Sequence, residues 1–428
     1  MTLHSKTKLA KTKLAAVVIG ACVIGAGQAG AQDDPVSLRF AVWTGNQAHL
    51  DLFNGIAADY IAANPTVGEI TFETLPFDGY TTALTTQIAG GNAPDLAWIF
   101  ESTAPDFVAS GALEPLTDAL RAVDGYDYDD LLPSPLALWQ ADGQLYAYPF
   151  STSAFGVFVN NDLIRQAGRQ TPAELIAAGD WTWQNAIDIA SAVHAQTDAD
   201  GLVVRDFDYR LWDNLATIWN GWGAAPWSAD GQTCGFDSPE MVAAMTFIHD
   251  AIFEQEAMPG PGSSADFFAG DAAMTITQIS RASLLPEDGF EWDLVPLPDG
   301  PAGSYAVLGQ AGIGAFNGGD NVAEAVDFLA FMTNPQNSAQ LARFFPPPRE
   351  SLLNAETLGQ TNPLLSPEQI EAVVIEGIAT GVVKPSHTGN AQIAQRVRAE
   401  LDALWRPDAD VAAVMADVCT GIRPLLAR

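Results

Sequence analysis

From residue 36 onward the chain switches repeatedly between two hydrophobic periods. Val36–Val42 is an apolar run of strand character that ends at Trp43-Thr44-Gly45-Asn46, a turn signature. Leu50, Phe53, Ile56, Ala57 and Tyr60 then recur at helical spacing until Asn64-Pro65, which a helix does not cross. Residues 69–75 predict a second strand, 80–88 a helix closed by Gly90-Gly91, and 94–99 a third short strand. Strand, helix, strand, helix, strand is the rhythm of a parallel sheet with helices on its faces. The rhythm returns later, with strands over 154–159, 272–276, 292–296 and 307–316 and helices over 183–195, 241–254 and Val322–Met332. Pro346-Pro347-Pro348 can neither continue a helix nor donate to a ladder, so it reads as a stiff connector. The chain has no short-period repeat, which argues against solenoids and propellers.

The first 31 residues follow a different pattern. Lys6, Lys8, Lys11 and Lys13 precede an apolar run over 14–26 and the small-residue ending Ala29-Gly30-Ala31. Basic start, short apolar middle and A-x-A-like end make a secretory signal peptide over 1–31, cleaved near Ala31. The apolar run is shorter than the roughly 20 residues a bilayer span needs. An alternative places Cys22 as the lipid-modified first residue of a lipoprotein.

Removing that leader leaves 15 basic residues against all 52 acidic ones and shifts the net charge from −33 to −37. Lys384 is then the single remaining lysine. So acidic a surface repels nucleic acid and anionic lipid, which excludes both as partners. A hydrophobic fraction of 48% with 17% charged residues describes a well-packed protein, and about 400 mature residues suffice for two domains. Cys234 and Cys419, in a compartment where disulfides persist, either bridge or remain as two buried thiols.

Catalytic signatures are weak. His4, His49, His194, His249 and His387 are scattered, without metal-ligand spacing, so no metal or other cofactor is expected. A glycoside hydrolase needs two carboxylates at a set separation, but with 52 acids a pair such as Glu254 and Glu256 arises by chance. Gly309-Gln310-Ala311-Gly312-Ile313-Gly314 has the wrong glycine order for a dinucleotide loop and reads as a strand with close backbone packing. Asp198-Ala199-Asp200-Gly201 lacks the glutamate that completes a calcium loop and reads as a surface turn.

Several segments, in order, resemble one family. They are the strand ending at Trp43, Gly91-Asn92-Ala93-Pro94-Asp95-Leu96, Gly111-Ala112-Leu113-Glu114-Pro115-Leu116, and Leu145-Tyr146-Ala147-Tyr148-Pro149-Phe150 with the following Gly156-Val157-Phe158-Val159-Asn160-Asn161-Asp162-Leu163. Asp180-Trp181-Thr182-Trp183, Phe268-Ala269-Gly270-Asp271-Ala272-Ala273-Met274 and Asn334-Pro335-Gln336 complete the set. Together they are similar to the carbohydrate-type, maltose-binding-protein-like solute-binding proteins of ABC importers. The resemblance implies an α/β, two-lobed periplasmic-binding-protein fold (type II-like), each lobe a mostly parallel sheet flanked by helices. It implies lobes of residues 32–149 plus 305–345 and 150–304 plus 346–428, joined by crossings at 148–151, near 292–304 and near 346–350. It further implies a periplasmic monomer without catalysis that holds a small solute, a sugar by preference, in the cleft and delivers it to the importer's membrane subunits.

In open α/β sheets, ligands sit beyond the carboxyl ends of strands. The turns there offer Trp43, Thr44 and Gln47, then Trp98 and Glu101. By resemblance the second lobe offers Trp212 and Asp213 with Trp219 and Trp222, then Gln278 and Arg281. Ser151 comes from the first crossing, Gly309 and Gln310 from the first lobe, and Arg349 from the third crossing. Aromatic rings suit the apolar faces of a sugar, and carboxylates, amides and guanidinium groups suit its hydroxyls. A polyamine, which would want converging acids, is the alternative ligand, and a secreted glycoside hydrolase the alternative activity.

Overall fold

A computed structural model describes residues 35–204, 212–263, 265–286, 289–361 and 363–427. The signal peptide expected over 1–31, and Cys22 with it, lies outside the described residues. Among the described residues, eleven strands follow in chain order. They are β1 (Val36–Val42), β2 (Val67–Thr74), β3 (Leu96–Phe100), β4 (Gln140–Ala141), β5 (Gln144–Leu145), β6 (Ala147–Asn160), β7 (Asp200–Val204), β8 (Ala272–Gln278), β9 (Trp292–Val295), β10 (Val307–Ala315) and β11 (Val382–Val383).

Nine of them make one sheet, ordered β2-β1-β3-β10-β6-β8-β7, with β11 on β10 and β9 on β6. The pairs β1/β2, β1/β3, β7/β8 and β10/β11 are parallel; β1, β2 and β3 follow the strand–helix rhythm read from the sequence, whereas β7 and β11 were not among the expected strands. The two long strands β6 and β10 run antiparallel to each other and to the strands flanking them, β3, β8 and β9. Most of the expected strands and helices stand within a few residues of their predicted places, among them the helices Gln47–Ala63, Trp183–Gln196 and Val322–Met332, but β6 begins seven residues before the strand expected over 154–159, and Asp200 and Gly201, expected in a surface turn, open β7. Asn46 caps the first of these by accepting from the Ala48 N–H.

β6 shows how one strand serves several cores. Ala147, Tyr148 and Phe150 pack with Phe40, Phe53 and Trp98 beneath the helices of the amino-terminal part. Beyond the crossing, Phe155, Val157 and Val159 face a larger core with Met245, Trp219 and Val418, while Ala154 and Phe158 face the opposite layer with Leu294, Leu358 and Ile370. Alternation of side chains across the strand makes this possible, because the sheet is covered on both faces. Trp292–Val295 pairs with β6 inside the second region, and the return passage falls along β10. Val307 packs in the larger core, whereas Ala311, Ile313 and Ala315 pack in the first.

At the passage point the β6/β10 register shifts between Ala311 and Ile313, and the Thr152 N–H donates to the Pro346 carbonyl at 2.9 Å. The glycines of β10 serve close packing, as the sequence predicts. A methyl on Gly312 would stand 2.7 Å from the Trp139 ring, and one on Gly314 would stand 2.8 Å from Leu113. Cys234 and Cys419 are bridged, with Cα atoms 5.6 Å apart, tying the helix Val411–Leu426 to the tryptophan-rich loop.

Candidate ligand-binding cleft

Three chain segments bring charged groups to one point between the regions. β3 ends at Phe100 and turns at once into the short helix Glu101–Thr103, which carries a carboxylate from the first region. The short helix Trp212–Leu215 supplies Asp213 and Asn214 from the second. β11 lies along β10, and the Lys384 N–H just past it donates to the Leu308 carbonyl at 3.0 Å, which fixes where the lysine side chain starts. Lys384 Nζ then stands 3.1 Å from Glu101 Oε1, 2.8 Å from Asp213 Oδ2 and 3.1 Å from Asn214 Oδ1. The Phe155 ring centroid is 5.9 Å from the ammonium. Lys384, Glu101 and Asp213 are 6%, 8% and 7% exposed, so the cluster is largely withdrawn from water.

Burial alone would lower the Lys384 pKa, but the charges of Asp213 and Glu101, and their hydrogen bonds, outweigh it and hold the ammonium above its usual range. A second tie lies alongside, where Asp106 Oδ1 accepts from the Gly389 N–H at 2.7 Å at the start of the helix Asn390–Leu401. Next to this seam is a cavity of about 450 Å³. Pro105 borders it from the first region, and Trp219, Trp227, Asp230 and His387 from the second. Trp219 Nε1 has no hydrogen-bond partner. Such a volume lies within the range of small-molecule sites.

The structure brings Glu101 and Asp213 together, while the Gln278 amide packs on Gly309 where a side chain would collide. Trp43 is half-buried and stacks on Phe100 with ring centroids 4.1 Å apart, with Phe77, 55% exposed, edge-on beside it. These rings form an aromatic ledge next to Glu101. Thr44 shares a hydrogen bond with His49, and the exposed Gln47 donates to Asp51. Trp212 packs among Trp219, Trp227 and Phe236. Trp222 lies against Phe247, Ser151 is half-buried at the crossing, and Arg281 is half-buried in the short helix Ile279–Leu284.

Three expectations need correcting. Trp98 is stacked on Phe150 and edged by Trp43, Phe53 and Phe345 inside the first core, so its ring has no free face. Gln310 accepts from Trp139 Nε1 and donates to the Pro135 carbonyl, which occupies its amide at both ends. Arg349 is fully buried and donates to the carbonyls of Tyr126, Asp127 and Thr333 and to Asp130. Position after a strand or at a crossing suggested ligand contact; in each case an internal polar or aromatic partner claims the side chain. Sequence reading missed Lys384, Asn214, Phe77, Phe100, Trp227 and His387. For Lys384 there was a signal, the one lysine beyond residue 31 against 52 acids.

An α/β frame with two crossing strands and a polar seam between its halves is the architecture of a two-lobed binding protein. Residues 49–339 match the bacterial extracellular solute-binding protein family, and the chain belongs to that family, the solute-binding component of ABC transporters. Among curated relatives, a Brucella abortus (strain 2308) protein with a provisional binding-protein designation is 27% identical over 65% of this chain and 68% of its own. The sn-glycerol-3-phosphate-binding periplasmic protein UgpB of Escherichia coli (strain K12) is 24% identical over 58% of this chain and 60% of its own. Among solved structures, an ABC substrate-binding protein of Listeria monocytogenes in complex with cycloalternan superimposes with a TM-score of 0.78 at 22% identity, covering 92% of this chain and 99% of that one. UgpB of Mycobacterium tuberculosis in complex with glycerophosphocholine gives 0.76 at 18% identity, covering 91% and 98%.

Proposed function

We propose that this chain is exported, loses residues 1–31, and captures a sugar by closing its lobes, residues 32–149 plus 305–345 and 150–304 plus 346–428. The ligand sits in the seam bordered by Trp43, Glu101, Ser151, Trp212, Asp213, Trp219, Trp222, Gln278, Arg281 and Gly309, with Thr44 and Gln47 at its rim. It is carried as a monomer to the membrane subunits, without turnover. The observation that carries this reading is the cavity of about 450 Å³, bordered by tryptophans and polar side chains, beside a seam that both regions line. Rings supply surface for the C–H faces of a sugar and carboxylates accept from its hydroxyls. The cycloalternan bound by the Listeria protein is in keeping with this ligand class.

Isothermal titration of the mature protein with mono- and oligosaccharides, polyols, amino acids and polyamines tests it. At least one sugar should bind, and at 100 times its Kd it should stabilise the fold by about 2.7 kcal/mol. Binding of polyamines with no response to any sugar would overturn the sugar assignment.

A further inference from the structure

Lys384 has three N–H donors, and the structure gives it three acceptors: Glu101 Oε1, Asp213 Oδ2 and Asn214 Oδ1, at 3.1, 2.8 and 3.1 Å. The ammonium is therefore saturated and has no donor left for an incoming anion. Two carboxylates against one ammonium leave the cluster with a net charge of about −1, in a setting with little water to screen it. What the cluster still offers is acceptor capacity, because each carboxylate has lone pairs beyond the one that meets Lys384.

We infer that the Glu101–Lys384–Asp213 cluster selects ligands by charge, admitting uncharged polyhydroxyl solutes and rejecting their phosphorylated counterparts. This rests on the reading of the seam as the ligand site and narrows it. Among relatives are proteins named for sn-glycerol 3-phosphate and solved with glycerophosphocholine, so phosphate-bearing ligands fit this fold. The exclusion lies in side chains, not in architecture. A hydroxyl donates to Glu101 or Asp213 without disturbing Lys384. A phosphate dianion meets the excess carboxylate and finds no ammonium proton free, and Arg281 at the border of the seam already has a partner within the protein.

The test exchanges charge while keeping shape. Wild type, Glu101→Gln, Asp213→Asn and the double variant are titrated with matched pairs: glucose and glucose 6-phosphate, trehalose and trehalose 6-phosphate, glycerol and sn-glycerol 3-phosphate. Circular dichroism confirms that each variant is folded, and the single variants carry the test if the double one is not. Wild type should prefer the uncharged member of the pair it binds by roughly 100-fold or more, and the amide variants should narrow that gap by at least roughly tenfold per carboxylate removed. A wild type that binds a phosphorylated member as tightly as its parent, or variants with an unchanged ratio, overturns the inference. Inorganic phosphate in a thermal-shift assay reads the same cluster without any sugar. It should raise the melting temperature of the variants and leave wild type unmoved, and equal response of both overturns the charge rule even if every sugar fails to bind. Failure of all sugars together with a phosphate response confined to the variants would remove the sugar reading and keep the charge rule.

Discussion

Arg349 marks the difference between a cleft residue and a frame residue. Its guanidinium lies fully buried, holding the carbonyls of Tyr126, Asp127 and Thr333 beside Asp130. Removing it strands those acceptors and leaves Asp130 without its cation. Arg349→Met should cost about 3–5 kcal/mol in denaturant unfolding while leaving the Kd of any ligand the wild type binds unchanged at temperatures where the variant is folded. A large loss of affinity in a stable variant would return Arg349 to the site. His49 gives a second residue-level expectation. Burial lowers its pKa, and the unfolded chain therefore takes up a proton more readily than the folded one. The stability tied to its neutral form is present above its ordinary value near 6.5 and declines as pH falls below it. Because Thr44 Oγ1 meets its ring, His49→Gln should flatten the acid limb of the melting-temperature profile between pH 7 and 5.

At the scale of elements, β10 is the most constrained piece. Its residues are all buried, and Trp139 rests on Gly312. Gly312→Ala should cost about 1–3 kcal/mol, because a rigid indole has to move and the strand has no free face to yield. Calorimetric melting checks it, and an unchanged midpoint would show the indole shifts freely. The strand–helix rhythm that defines these elements was readable in the sequence because it depends on local periodicity. Residues 36–63 and Val322–Met332 are of that kind. The site was less readable because the contacts that decide it are long-range. Trp98 and Arg349 stand where a ligand residue would stand, but Phe150 and Tyr126, contributed by distant segments, enclose them. Conversely, nothing near Lys384 in sequence announces Glu101 or Asp213, 283 and 171 positions away. Solitary charge in an unlike background was the one local clue.

For the whole molecule, the Lys384 cluster joins Glu101 of the first region to Asp213 of the second, so its titration should couple pH to the proposed closure. Its raised pKa means that its contribution is complete below the ordinary lysine value near 10.5 and is lost as pH rises above that value. Small-angle scattering of the ligand-free protein should show an increase in radius of gyration above that pH, and Lys384→Met should expand already at neutral pH. The difference between the two proteins should shrink as alkalinity increases, and a constant difference would show that the cluster does not hold the lobes.

The Cys234–Cys419 bridge adds a constraint of another kind. By closing a loop of 185 residues it stabilises the fold by about 2–5 kcal/mol, which melting with and without reductant reads directly. It also makes the chain a closed circuit that leaves the second region, runs out along β10 and the helix Val322–Met332 of the first, and returns through Pro346-Pro347-Pro348. A protease that nicks this circuit once, at the connector or anywhere between the cysteines, therefore severs the backbone without freeing a fragment. The nicked molecule should migrate as one band until thiol is added and as two afterwards, so that in an oxidising compartment the binder outlives its first cut.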